Sequence, residues 1–389
     1  MPTTKRILGL LCIALLVSSV SATNEKFQLW YPEFGFIFDT ILHSNCTAEY
    51  AAYLAGKKSA QYVHIYQFTG AVWTNQLAEP VVNCILKSTS PYVQASMASA
   101  GVLLGLTPTI LAAVGSSAEE TAMLFILSKR PLLAVFLAGG SPAVFPMRSF
   151  EDQDPIGLLK KRPGRLSPPR LSNKGQLAIM VLEYIIALAA VANVVTVAYD
   201  LGMQVSSSFA PETTYLPLLW AVLNLAIHTS GAVALYLRVT VESQLPCNTP
   251  FDYLRIHFTP VSMQRPNTIE VLPETYWFIA VSWLTSTLTV CHGLYATLAF
   301  SSMLFISVKD SLRVISRFMA SVICCRVILM YELAVLRDSS KFKPESELEM
   351  QGQAVEFSNF SHQGPDAATR TGSKEILLEG GHIKCTTRG

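Results

Sequence analysis

An all-α membrane protein is the fold class the sequence predicts, with about five transmembrane helices, a small lumenal or extracellular N-terminal region and a disordered C-terminal tail. Three observations predict it. Hydrophobic residues make up 51% of the 389-residue chain and charged ones only 14%, with a mean hydropathy of +0.37; a soluble domain carries roughly a quarter charged residues. Four apolar stretches meet the roughly 17–25 residues needed to cross a bilayer, and a fifth does so with charges inside it. The charges gather between these stretches. A net charge of +2 also excludes a dedicated nucleic-acid binder.

Residues 1–22 read as a signal peptide. Lys5 and Arg6 form a basic start, Ile7–Val17 an apolar core of 11 residues, and Val20-Ser21-Ala22 a small-residue cleavage site. Extended to Ala22 the apolar run is 16 residues, short for an anchor helix. Cleavage places the new amino terminus in the lumen or outside. Residues 23–93 suit that compartment. They are rich in aromatics (Phe27, Trp30, Tyr31, Phe34, Phe36, Phe38) and carry the glycosylation sequon Asn45-Cys46-Thr47. Cys46 and Cys84 are the two cysteines of this region, and an oxidising lumen pairs them. Two buried free thiols are the rival reading.

The spans are read as 95–115, 177–199, 215–237, 276–306 and 318–336, inside a helical region of residues 94–338. The fourth stretch, 31 residues long, must tilt, kink or protrude. Segment 118–146 is contested because Lys129, Arg130 and Pro131 divide it into pieces too short to cross. Centring both charges in the bilayer would cost roughly 5–7 kcal/mol. An interfacial or re-entrant segment is expected there. Segment 318–336 is contested too, since Arg326 and Glu332 must be buried within the bundle if it crosses. Loop charge arbitrates. Nine Lys and Arg residues lie between Ser116 and Gln176 and none between Asp200 and Thr214. The positive-inside rule then puts the first loop in the cytosol and the second in the lumen. This requires 118–146 not to cross and 318–336 to cross, with the amino terminus outside. The opposite choice on both segments also gives five spans but exports seven basic residues between Arg148 and Lys174. Residues 339–389 are polar, lack a helical period and read as a disordered cytosolic tail; their sequon Asn359-Phe360-Ser361 would escape glycosylation there.

No catalytic signature, cofactor motif or metal-ligand spacing emerges. The adjacent Cys324 and Cys325 suit packing or palmitoylation, not zinc. Polar groups inside the spans carry more information, because exposing them to lipid is costly. Glu183, Asn193, Asn224, His228 and His292 form the candidate intramembrane polar cluster. Asn224 and His228 share one helix face. Glu183, His228 and His292 would serve a proton relay or a cation if they converged; the alternative is hydrogen-bonded glue between helices, about 0.6–2 kcal/mol per bond. Gly101 and Gly105 form a G-x-x-x-G ahead of Pro108, and Ala187, Ala189, Ala190 and Ala192 offer a second close-packing surface. The loop residues Lys160, Lys161, Arg162 and Arg165 form a basic cluster able to hold anionic lipids at about 1 kcal/mol per charge.

Several strings are also familiar together: Gly101–Ser117 (GVLLGLTPTILAAVGSS), Ala118-Glu119-Glu120-Thr121, Gly140–Pro146 (GSPAVFP), Arg162–Arg165, Tyr215–Trp220 (YLPLLW) and Pro273–Tyr276 (PETY). With the signal peptide and aromatic ectodomain, they resemble an uncharacterised family of fungal multi-pass membrane proteins over about residues 25 to 338. The family has no assigned activity, so the resemblance implies membrane topology and carries over no catalytic residue. The expectation is a non-enzymatic scaffold or sensor-like membrane component of the secretory pathway, in the plasma membrane or an endomembrane. A transporter built on the Glu and His residues is the first alternative, a membrane-embedded enzyme the second.

Overall fold

The computed structural model describes residues 26–56, 77–145, 172–242, 260, 268–339 and 341–342. Residues 1–22, read as a signal peptide, the basic residues at 160–165 and nearly all of residues 339–389 lie outside the described residues.

Ten helices are described. Three short ones come first: α1 (Gly35–Ser44), α2 (Thr47–Leu54) and α3 (Ala78–Ser88). Then follow α4 (Pro91–Val114), α5 (Ala118–Ile126), α6 (Pro131–Gly140), α7 (Asn173–Gln204), α8 (Leu216–Arg238), α9 (Tyr276–Ser301) and α10 (Val308–Ser339). Helices α4, α7, α8, α9 and α10 are long and apolar enough to cross a membrane, matching in number the five stretches read from the sequence. Their outward faces are themselves apolar. Leu182, Ile185 and Leu188 on α7 and Trp283, Leu294 and Leu298 on α9 are all exposed, a surface too oily for water but suited to hydrocarbon.

Helix ends depart from the sequence reading where residues beyond the apolar run find apolar or polar partners. The first span begins at Pro91, because Val93 and Met97 continue the helix into the N-terminal core. The fourth stops as helix at Ser301 and turns through β4 (Met303–Leu304), which pairs antiparallel with β1 (Ser206–Ser207). The fifth runs from Val308 to Ser339, well beyond 318–336. Its first turn is polar but capped: Ser307 Oγ donates to Asp310 Oδ2 at 3.0 Å and accepts from the Asp310 N–H at 3.0 Å. Such a cap satisfies helix-terminal N–H groups that an apolar scan does not count.

The N-terminal helices form a cap on one end of the bundle. Cys46 and Cys84 are joined by a disulfide, as their isolation in the sequence suggested. The cap core gathers Phe27, Phe38, Leu42, Tyr53, Val81 and Ile85, and it is completed by Phe305 from the bundle. Phe305 stands edge-on to both Trp30 and Phe38, with centroids 5.5 and 5.2 Å away. Its φ of 67° is a conformation few non-glycine residues adopt. Polar ties reinforce the seam: Lys26 Nζ donates to the Val205 carbonyl at 3.0 Å, the Leu77 N–H to Glu212 at 2.8 Å, and Lys309 pairs with Glu33 at 2.7 Å.

At the opposite end, β2 (Val239–Glu242) pairs antiparallel with β3 (Thr268–Val271), which pairs parallel with β5 (Lys341–Phe342). Val239, Val241 and Ile269 pack there against Leu333 and Leu336 of α10. Within the bundle α8 packs on α9, α9 on α4, and α10 on both α4 and α7. The G-x-x-x-G of α4 meets the end of α9: a Cβ on Gly105 would stand 2.9 Å from Ser301 Cβ. Gly202 is needed for a similar reason, since a Cβ there would lie 1.9 Å from the Thr214 carbonyl oxygen.

Candidate functional site

The contested segment 118–146 is a helical hairpin inserted among the long helices. Helix α5 packs on α8, and α6 packs on α7. Neither short helix could span alone, at roughly 1.5 Å per residue. The hairpin enters and leaves at one level, where the Phe145 N–H donates to the Ser116 carbonyl at 3.1 Å. Its charges and Pro131 predict an interfacial or re-entrant segment, and the chain doubles back here within the bundle.

Sequence dictates each part of the hairpin. Helix α5 opens on a capping box: Ser117 Oγ accepts from the Glu120 N–H at 3.2 Å, and Glu120 Oε2 accepts from the Ser117 N–H at 3.0 Å. Glu120 also pairs with Arg326 of α10. The tip turns at Lys129, whose φ is 54°, and α6 restarts with Pro131 in its first turn. The far end of α6 is held by Asn224, whose Nδ2 donates to the carbonyls of Ala138 at 2.6 Å and Ser141 at 2.9 Å. These are carbonyls that a helix end otherwise leaves without donors. Gly140 lies where a Cβ would come within 2.6 Å of Cys325 Sγ and 3.0 Å of Ala190 Cβ, so only glycine lets α6 rest on α7 and α10. Buried Cys325 is thus a packing residue, while Cys324 is exposed.

At the hairpin tip sits a buried charge cluster. Arg130 is fully buried, and its Nη1 lies 3.1 Å from Glu183 Oε2 of α7 and 2.6 Å from Glu332 Oε1 of α10. The guanidinium also lies over the Tyr184 ring, 5.4 Å from its centroid. Both carboxylates are nearly inaccessible, at 6% and 4% side-chain exposure. A cavity of about 10 Å³, lined by Arg130, Gln176, Glu183, Tyr331 and Glu332 among others, adjoins them. That is room for one water.

The five residues of the candidate polar cluster fall into separate places. Glu183 belongs to the charge cluster. Asn193 is fully engaged between α7 and α10: its Nδ2 donates to Ser321 Oγ and the Arg317 carbonyl, both at 2.8 Å, and its Oδ1 accepts from Arg317 Nε at 3.0 Å. Asn224 caps α6. His228 Nδ1 shares a 2.6 Å hydrogen bond with Thr121 Oγ1, and His292 Nε2 bonds the Trp220 carbonyl at 2.9 Å. The two histidines lie within electrostatic reach of one another. Glu183 does not join them, because more than a turn of α5 separates Thr121 from Arg130, roughly 10 Å along the hairpin.

Sequence reasoning treated Arg130 and Glu332 as obstacles to membrane crossing, not as members of a site. The signal that could have united them is charge balance. A buried acid on a span requires a buried cation, and the contested segments held the cations available to Glu183. Asn45, the sequon asparagine, is exposed on the cap beside the disulfide, accessible to modification. No known protein family, curated protein or solved structure matches the chain.

Proposed function

We propose that this chain is a non-enzymatic integral membrane component of the secretory pathway, a scaffold or sensor-like protein whose N-terminal cap faces the lumen or exterior and whose tail faces the cytosol. One observation carries the reading: the cap core is completed by Phe305 of the bundle. A ligand or force acting on the cap therefore acts on the junction between α9 and α10. Helix α10 continues from that junction to Glu332 and the hairpin tip, giving a continuous packed path from one end to the other.

Hydrogen–deuterium exchange on purified protein tests the coupling. Phe305→Ala is expected to raise exchange in α1–α3 and also in α5 and α6, with the long helices still protected. A change confined to the cap would overturn a sensor-like role. Orientation is tested separately, by endoglycosidase sensitivity at Asn45 and by protease access to the tail in sealed vesicles. Loss of the sugar-dependent mobility shift only in Asn45→Gln supports a lumenal cap. The cluster Lys160, Lys161, Arg162 and Arg165 is proposed to hold anionic lipid at the cytosolic face. Neutralising all four is expected to abolish preferential retention of phosphatidylserine over phosphatidylcholine by the purified protein.

Transport is the second reading, and the buried Glu and His residues are what favour it. The engagement of Glu183 with Arg130, and of His228 with Thr121, weighs against one shared route. Substrate-dependent proton flux in reconstituted vesicles, lost in His228→Ala, would favour transport over the scaffold.

A further inference from the structure

The Arg130 cluster is unbalanced in charge. Two carboxyl groups share a single guanidinium nitrogen, Nη1, and they also lie against one another within hydrogen-bonding contact. Two carboxylates in contact repel, and neither can donate a hydrogen bond. Glu183 Oε1 and Glu332 Oε2 have no donor among the described residues, and Arg130 Nε and Nη2 have no acceptor. All three side chains are at least nine-tenths buried. With both acids ionised the cluster would hold one net negative charge in a poorly polarisable interior, a costly arrangement. The other charged or titratable groups facing it among the described residues are Tyr184 from α7 and Tyr331 from α10. Both are phenols, and neither supplies a cation.

We propose that Glu183 and Glu332 form a proton-binding site, in which one proton shared between the two carboxyl groups joins Arg130 in balancing the cluster. The proton converts a carboxylate–carboxylate repulsion into a charge-assisted hydrogen bond. The cluster then becomes neutral, one cation against one anion. Arg130, Glu183 and Glu332 all line the adjoining cavity, sized for one water, so a water there would lie beside the shared proton. The site fastens three elements: Arg130 carries the hairpin tip, Glu183 α7 and Glu332 α10. Losing the proton would leave like charges facing each other across α7 and α10, so occupancy of this site governs how tightly the hairpin tip is held. This holds whether the chain is a scaffold or a transporter, because it depends only on the cluster itself.

Infrared spectroscopy of the full chain, purified in a detergent without carbonyl groups, tests the site at neutral pH. Wild type is expected to show one carboxylic-acid C=O band that shifts in heavy water. Glu183→Gln and Glu332→Gln should each abolish it, since the remaining acid then pairs alone with Arg130 and ionises. A wild-type spectrum matching both variants in this region overturns the proposal, as does a band surviving in either variant, which would assign the proton to one acid independently of its neighbour. If a variant fails to fold, alkaline titration of the wild type decides: loss of the band equivalent to one carboxyl supports the site, and absence of any band at neutral pH refutes it.

Discussion

The Phe145 N–H donates to the carbonyl of Ser116 at 3.1 Å, so both ends of the α5–α6 hairpin meet at one level of the bundle. Had the segment crossed, these residues would stand far apart, since α5 alone is about 13 Å long. Cysteines introduced at 116 and 145 are therefore expected to be joined efficiently by a short bifunctional thiol reagent. Peptide mass spectrometry of the labelled chain would detect the link. A pair that reacts only with reagents longer than about 10 Å, in terms of α-helical rise, would place the hairpin ends apart and refute the doubling back.

Close packing of the hairpin rests on Gly140. Its substitution by Ala forces a methyl into the space held by Cys325 Sγ and Ala190 Cβ, and overpacking of this kind destabilises by about 1–3 kcal/mol. The same substitution with Cys325→Ala removes the nearer obstruction, so the double variant should recover part of the loss. Unfolding midpoints in mild detergent for the four members of the cycle measure this. Additive losses would mean that Gly140 matters for another reason.

The disulfide closes a loop of sequence separation 38. Loop-closure arguments give such a crosslink about 3–4 kcal/mol, large for a cap with one small core. Replacing Cys46 and Cys84 together by Ala should raise amide exchange throughout α1–α3 while leaving α7 and α8 protected. Exchange unchanged in the cap would mean that Phe305 and the polar seam suffice to hold it.

The number of long helices and the disulfide were legible in the sequence because each follows from a local rule, apolar length and cysteine isolation. For segment 118–146, charges beside a proline indicated pieces too short to cross but not the hairpin they form. Helix ends were less so. Asp310 and Lys309 look like the end of an apolar run until Ser307 caps the first residue and Glu33 reaches across from the cap. The Ser307 cap is local, but Glu33 lies 276 positions from Lys309, and an apolar scan sees neither partner. The same is true of the polar cluster. Glu183, Asn193, Asn224, His228 and His292 were identifiable as buried polar groups, but spacing within one helix cannot say which neighbour each one meets. Glu183 found Arg130, 53 positions away, and Glu332 on α10, whereas the histidines stayed with Thr121 and Trp220.

Lys26 makes the seam between cap and bundle sensitive to pH. It is buried, its Nζ donates to the Val205 carbonyl, and burial lowers its pKa from 10.5 to about 7. Between those values the folded amine is neutral while the unfolded one still binds a proton, so stability rises with pH across that window. The gain is about 1.4 kcal/mol per pH unit at most, and below about pH 7 the full penalty of burying the charged form remains. Protection of α1 against amide exchange, corrected for intrinsic rates, should therefore increase from about pH 7 to about pH 9. Lys26→Met keeps the length of the side chain without the charge, and it should flatten this dependence and strengthen the cap at pH 6, despite the lost bond to Val205. A wild-type profile as flat as the variant's would mean that Lys26 reaches water when charged.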